Sequence, residues 1–213
     1  MEIIIAIAML TGVFCYYQNN KIVITNIKLK QKINNKVRIA QISDLHSKEF
    51  GKNNYILYKK IIEQKPDIIV ATGDLIDSSM KKLDEIIEFC SSINKDIPMY
   101  YILGNNEMRC SRVSEIVEKL KKNKICVLEN EIESIEVKGN KINILGLAEK
   151  RIDEGELFYS KVNSRYGTEN IEKIFSRLER LDGIKIVLSH YPENFEYVEE
   201  GAYSKYNFDI MFS

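Results

Sequence analysis

Short apolar runs alternate with amphipathic stretches through the first half of the chain. The runs at 37–43, 67–72 and 98–103 have the length of strands, and the run at 67–72 has the continuous apolar character of a buried parallel strand. Between them, apolar residues recur at the helical i, i+3, i+4, i+7 spacing, as in the stretch that begins at Leu83. The pattern therefore predicts a parallel sheet covered by helices. A turn at Asn34-Asn35 predicts a hairpin that leads into the first strand.

The pattern changes in the second half of the chain. Three strand-like runs follow one another between 125 and 149, and Gly139-Asn140 is a turn signal, so we expect hairpins here rather than crossovers. The polar residues 149–167 predict a long loop. An amphipathic helix over 171–181 then leads into a buried strand at 184–189, and a last strand-like run reaches Ser213.

An uncharged apolar segment, residues 3–17, precedes these elements. A helix rises about 1.5 Å per residue, so this segment covers about 22 Å of a hydrocarbon core that is about 30 Å thick. Glu2 stands where a cleavable signal sequence carries positive charge. We interpret residues 1–20 as a short hydrophobic membrane anchor and 21–213 as one domain. The alternative is an apolar helix packed on that domain.

Charge and cysteine usage favour a membrane-associated protein whose domain lies on the cytoplasmic side. Lysines on the C-terminal side of a membrane helix favour that orientation, and the four cysteines contain no C-x-x-C pair, as expected of free thiols. The chain has 31 basic and 31 acidic residues, so it carries no overall electrostatic footprint for nucleic acid. No sequence signal sets an oligomeric state. The flanking lysines are Lys21, Lys28, Lys30, Lys32 and Lys36.

Polar side chains stand at the carboxyl ends of the predicted strands. Ligands of open α/β sheets bind at that edge, and both histidines of the chain follow a buried strand directly. Taken singly, each residue also has a structural explanation, as a turn or cap residue or, for His190, as a core histidine with its hydrogen bonds satisfied. Taken together, carboxylate, amide and imidazole donors predict a site for divalent metals of the Mn, Fe or Zn class. The residues are Asp44, His46, Asp74, Asn105 and His190.

The order of these residues resembles the motif series of the calcineurin-like metallophosphoesterases, in particular the bacterial branch with an N-terminal hydrophobic segment. That series runs D-x-H, G-D, G-N-H-D/E, then a later histidine and G-H-x-H. The resemblance covers roughly residues 35–213. The matching residues are Asp44-Leu45-His46, Gly73-Asp74, Gly104-Asn105-Asn106-Glu107 and Ser189-His190-Tyr191-Pro192.

The resemblance implies an α/β fold, a two-sheet sandwich flanked by helices in α-β-β-α layers. It also implies two divalent metal ions as cofactors, with Asp74 bridging them. Asp44 and His46 complete one ligand set, and Asn105 and His190 complete the other. The implied activity is hydrolysis of phosphomonoesters or phosphodiesters by a hydroxide held between the two metals. The implied partners are a phosphate-ester substrate and a membrane surface.

Two departures from the motif series bear on activity. Asn106 occupies the catalytic position where the family has a histidine that is thought to protonate the leaving group, and an amide has no proton to give near neutral pH. The chain also ends at Ser213, before any G-H-x-H. We therefore expect a fragment that lacks its C-terminal strands. The alternative is an impaired or inactive homologue that acts as a binding or scaffold protein.

Overall fold

The computed structural model divides the chain into two compact units, Met1–Lys32 and Ile33–Ser213. The first unit contains helix α1 (Glu2–Asn20), followed by residues 21–32, which lie outside helices and strands. By length and composition α1 is apolar enough to cross a membrane, a property it shares with N-terminal signal sequences, and it has no buried residue. The structure describes residues 1–148, 161–164, 167–195 and 203–213.

The second unit contains the remaining helices and all the strands of the described residues. The helices are α2 (Tyr55–Glu63), α3 (Leu83–Asn94), α4 (Asn105–Arg109), α5 (Val113–Lys122) and α6 (Ile171–Glu179). The strands are β1 (Ile39–Ile42), β2 (Ile68–Ala71), β3 (Met99–Tyr101), β4 (Cys126–Val127), β5 (Glu131–Val137), β6 (Asn140–Gly146), β7 (Lys161–Ser164), β8 (Gly167–Asn170), β9 (Ile184–Leu188) and β10 (Ile210–Phe212).

The strands form two four-stranded sheets and one small hairpin. The first sheet has the order β1-β2-β3-β4, and every pair in it is parallel. The second has the order β10-β9-β6-β5, in which only β5 and β6 are antiparallel. Strands β7 and β8 pair with each other. Because Ile42 lies opposite Ala71, and Ala71 lies opposite Tyr101, the carboxyl ends of β1, β2 and β3 meet at one edge.

Alternating residues of the strands separate the core into layers. On β2, Ile68 and Val70 face the second sheet and pack in a cluster with Ile144 and Leu188. Their neighbour Ile69 belongs to the cluster that packs the first sheet against α2, α3 and α5. A third cluster packs α6 against the outer face of the second sheet. The layers therefore run α-β-β-α, which confirms the fold class expected from the sequence.

The first half of the chain departs from expectation at the turn of Asn34 and Asn35, where no hairpin forms. The two asparagines instead bind the turn between β5 and β6, which is distant in sequence. The Asn34 backbone N–H donates to Asn140 Oδ1 at 2.7 Å, and Asn35 Nδ2 donates to the Lys138 carbonyl at 2.9 Å. These hydrogen bonds satisfy the polar groups that a local hairpin turn would otherwise pair.

Two expectations for the second half are also corrected. Residues of β4 do not join the β5-β6 hairpin, because β4 pairs in parallel with β3 and is covered on both faces, with Cys126 packed between the sheets and Val127 under the helices. Of the predicted loop 149–167, residues 161–164 are strand. Residues 149–160 and 165–166 lie outside the described part of the chain.

Candidate metal centre

Four of the five predicted ligands follow the ends of strands that meet at one edge. Asp44 follows β1, Asp74 follows β2, and His190 follows β9 of the second sheet. One ligand atom from each of these three residues lies within 4.8 Å of the other two. Asn105, the first residue of α4, places its Oδ1 at 3.1 Å from His190 Nε2. Three strand ends of one sheet and one of the other therefore contribute to a single cluster.

His46 joins this cluster on its exposed side. Its Nε2 lies 3.6 Å from Asp44 Oδ1, and its Nδ1 lies 3.9 Å from Asp74 Oδ2. The side chains of Asp44 and His46 are about half exposed, whereas those of Asp74 and His190 are buried. All five predicted residues are thus brought together, with one wall open to solvent and one wall buried.

The loops after β1 and β2 hold three of these residues in the left-handed backbone region. The φ angles are 52° at Asp44, 47° at His46 and 54° at Asp74. This region is uncommon for residues other than glycine, and such strain persists only where surrounding contacts enforce it. The contacts here are backbone hydrogen bonds between the loops, from Asp44 N–H to the Gly73 carbonyl at 3.1 Å and from His46 N–H to the Asp74 carbonyl at 2.9 Å.

Two glycines allow the Asp74 loop to approach the start of α4. Gly73 has φ +94°, and a Cβ there would lie 2.5 Å from Gly104 Cα. A Cβ on Gly104 would in turn overlap Asp74 Oδ1 and the Asp74 backbone nitrogen. Packing therefore requires the glycines of the G-D and G-N steps, because a side chain at Gly73 would overlap Gly104 and His190, and one at Gly104 would overlap Asp74.

The orientation of His190 is set by a backbone carbonyl. Its Nδ1 lies 2.8 Å from the Thr72 carbonyl oxygen, which can only accept, so Nδ1 carries the proton. In the neutral ring Nε2 then directs a lone pair towards Asn105 Oδ1 at 3.1 Å and Asp74 Oδ1 at 3.6 Å. Three acceptors that converge in this way repel one another unless a cation lies among them. The donor set therefore fits a divalent metal, and His190 is oriented so that Nε2 faces the other donors of the set.

Asn106 binds both oxygens of the Asp74 carboxylate. Its backbone N–H donates to Asp74 Oδ1 at 2.8 Å, and its side-chain Nδ2 donates to Asp74 Oδ2 at 2.5 Å. The same Nδ2 lies 3.5 Å from His46 Nδ1. Asn106 therefore lies beside Asp74 and His46, and its amide orients the Asp74 carboxylate.

Glu107 is a buried residue of the site whose contacts were not predicted from the sequence. It is fully buried, and burial raises the pKa of its carboxyl above the ordinary value. Its Oε2 accepts from the N–H groups of Asp74 and Gly104, and its Oε1 accepts from the Ile76 N–H and the Tyr101 hydroxyl. The spacing from Gly104 to Glu107 is that of half a capping box, which was the available sequence signal.

Comparisons with known proteins agree with this geometry. The sequence profile described as calcineurin-like phosphoesterase matches residues 37–212. A protein of Aquifex aeolicus (strain VF5) named as a metallophosphoesterase is 34% identical over 73 residues, which cover 33% of this chain and 28% of that protein. The metallophosphoesterase Cj0846 of Campylobacter jejuni is 33% identical over 102 residues, which cover 44% of this chain and 26% of that protein. The chain thus spans about a quarter of the length of these curated relatives.

The fold also matches a solved structure. The crystal structure of TT1561 from Thermus thermophilus aligns with a TM-score of 0.55 and 17% sequence identity. The alignment covers 80% of this chain and 75% of that protein. At this level of identity the similarity concerns the fold alone.

Proposed function

Because the chain belongs to the calcineurin-like phosphoesterase family, we propose that it hydrolyses phosphomonoesters or phosphodiesters with two divalent metals at the cluster around Asp74. The observation that carries the proposal is the convergence of Asp44, Asp74 and His190 within 4.8 Å. Metals of the Mn, Fe or Zn class suit this mixture of oxygen and imidazole donors.

Asp74 is assigned as the bridging ligand because it lies between the two ligand sets. His46 Nδ1 approaches its Oδ2, and His190 Nε2 approaches its Oδ1. Asp44 and His46 would complete the exposed metal position, and Asn105 and His190 would complete the buried one. When bound, such a metal pair neutralises charge on phosphoryl oxygens and makes water a stronger nucleophile.

The other residues of the site orient the ligands and contact the substrate. Asn106 holds the Asp74 carboxylate in place, and its Nδ2 is a donor for a phosphoryl oxygen on the open wall. An amide cannot protonate a leaving group, and general acid catalysis is typically worth about 10² to 10⁴ in rate. The proposed substrates are therefore esters whose leaving group departs as an anion without help, such as phenolates of low pKa.

The proposal is tested with bis-p-nitrophenyl phosphate and p-nitrophenyl phosphate. The purified full chain is stripped with a chelator, reloaded with Mn²⁺, Fe²⁺ or Zn²⁺, and assayed for p-nitrophenol release. We expect release that depends on the metal and is abolished by Asp74→Ala. The matched control Asp96→Ala removes an exposed carboxylate after α3 and keeps the activity. Equal activity in Asp74→Ala and the parent chain would reject the proposal.

One observation favours a second candidate, a binding or scaffold protein that retains the fold. The amide of Asn106 occupies the position of a proton donor, so the site can hold metals and an oxyanion without turning over its ester. Metal counting by mass spectrometry separates the two candidates. Two bound metals per chain without p-nitrophenol release supports the scaffold, whereas release in the same sample supports the enzyme.

We further propose that α1 anchors the domain at the cytoplasmic face of a membrane. The helix has 19 residues and none of them is buried, as expected of a segment whose surroundings are lipid. In a bacterial expression host, the chain should remain in the membrane fraction after carbonate washing. The domain should be cleaved by added protease in inverted vesicles and protected in intact spheroplasts. The opposite protection pattern would contradict the cytoplasmic orientation and place the domain on the other side of the membrane.

A further inference from the structure

The segment directly after α1, residues 21–32, carries positive charges and no negative ones. It is called the lysine segment below. Its four lysines are exposed, and no acidic residue occurs between Glu2 and Asp44. The whole chain, by contrast, has equal numbers of basic and acidic residues. The positive charge is therefore a local property of this segment. The four residues are Lys21, Lys28, Lys30 and Lys32.

The lysine segment also exposes apolar side chains. Val23 is 70% exposed, Ile27 is 80% exposed and Leu29 is 61% exposed. From Ile27 onward apolar and lysine residues alternate, so an extended chain would present the two kinds on opposite sides. Such a segment matches an interface where apolar side chains enter the acyl boundary while long lysine side chains reach the headgroups.

We propose that the lysine segment binds the anionic surface of a lipid bilayer beside the point where α1 enters it. Continuity with α1 favours lipid over other polyanions, because the helix would hold the segment within the range of the surface potential. A nucleic acid would pair with the lysines and leave Ile27 and Leu29 in water. The proposal rests on the anchoring role of α1 and is independent of the catalytic site.

The expected strength of membrane binding follows from the positive charge of the lysine segment. Each lysine near an anionic membrane surface raises the ratio of membrane-bound to free segment about fivefold, so three lysines raise it about a hundredfold. Because the attraction is screened within a Debye length of about 10 Å at 0.1 M salt, the ratio should fall as salt is added. Binding of the segment to zwitterionic lipid should come only from its apolar residues.

The test places an environment-sensitive fluorophore on the segment of the full chain. Asn26→Cys, in a background of Cys15→Ser and Cys126→Ser, is labelled with nitrobenzoxadiazole, and the protein is incorporated into nanodiscs. The bound fraction is read from the fluorescence in nanodiscs of phosphatidylcholine alone and in nanodiscs that also contain phosphatidylglycerol. We expect clearly brighter and more blue-shifted emission with phosphatidylglycerol than with phosphatidylcholine alone, and loss of this difference when salt is added.

Two matched triple variants, each with three lysines changed to glutamine, test the proposal. Lys28→Gln, Lys30→Gln and Lys32→Gln together should lower the bound-to-free ratio about a hundredfold. The control removes three exposed lysines of the folded domain, Lys59, Lys81 and Lys95, each changed to Gln, and should leave the ratio unchanged. Equal emission in both lipids, or equal loss in both triple variants, overturns the proposal. A chain that enters neither nanodisc overturns it together with the anchor, whatever its p-nitrophenol release.

Discussion

The carboxylate of Glu107 accepts a hydrogen bond at 2.8 Å from the backbone N–H of Asp74, which lies 33 residues earlier in the chain. The same oxygen accepts from the Gly104 N–H at 3.0 Å. One buried side chain therefore connects the loop that carries Asp74 to the start of the helix that carries Asn105. The distance between these two ligand loops depends on this carboxylate.

We predict that Glu107→Gln weakens metal binding. A glutamine turns one of its two acceptor oxygens into a donor, which then faces an N–H group of the Asp74 loop or of Gly104. Loss of a partner that orients metal ligands typically costs about 10- to 100-fold in affinity. Metal affinity is measured by competition with a chromogenic chelator, in parallel with thermal unfolding.

The control for Glu107→Gln is Leu178→Ala in α6, a core change in the cluster on the far side of the second sheet. It should destabilise the fold by about 2–5 kcal/mol and leave metal affinity unchanged. If the two variants lose affinity equally, Glu107 acts only on stability and the positioning role is wrong.

Gly104→Ala should displace the Asp74 carboxylate, because the new Cβ would overlap both Asp74 Oδ1 and the Asp74 nitrogen. Overpacking of this kind costs about 1–3 kcal/mol, and metal affinity should fall with it. Gly139→Ala is the matched control. It has φ +75° but open space around the new Cβ, so it should lose about 1 kcal/mol to backbone strain and bind metal normally. Unchanged metal affinity in Gly104→Ala would show that the loops carrying Gly104 and Asp74 rearrange to accommodate the new side chain.

Asn106→His should raise turnover on esters with poor leaving groups. An imidazole can donate a proton near neutral pH, and the gain expected from general acid catalysis is about 10² to 10⁴. The measurement compares phenyl phosphate with p-nitrophenyl phosphate, for which the gain should be smaller. Asn106→Gln keeps an amide and should show no gain. An absence of gain in a histidine variant that binds its metals would contradict the assignment.

Asp67 should make stability depend on acid pH. It accepts from the Arg38 N–H at 2.9 Å and from Lys138 Nζ at 2.8 Å. Burial alone raises the pKa of Asp67, but these partners outweigh it and lower the pKa overall. The stabilisation is therefore present above the ordinary value of about 3.9 and is lost as the pH falls through the lower folded value.

Asp67→Asn should accordingly cost about 0.5–1 kcal/mol at pH 7 and much less near pH 3. Urea unfolding in detergent at the two pH values measures the difference. Lys138→Gln should reproduce part of the loss at pH 7. An equal cost of Asp67→Asn at both pH values would mean that the charge of Asp67 contributes nothing.

Much of the fold is determined by local sequence. Apolar runs specified β2 and β3, because strands buried on both faces need no polar alternation, and the shorter apolar stretches of β1 and β9 were recognised by the same signal. The helical stripes specified α3 and α5 in the same way. The candidate ligands could also be predicted from the sequence, because parallel strands end at one edge of a sheet and the polar residue after each strand can be read directly from the sequence. The assignment of each ligand to a metal remains a prediction.

Contacts between distant segments were decided only by the tertiary structure. Strand β4 joins the first sheet because its two faces fit two different cores. The proton on His190 Nδ1 is set by the Thr72 carbonyl, 118 residues away. The four donors around Glu107 include two from the loop after β2. A sequence shows which side chains are able to accept hydrogen bonds, but only the folded chain brings their donors within reach, because burial removes the competing water.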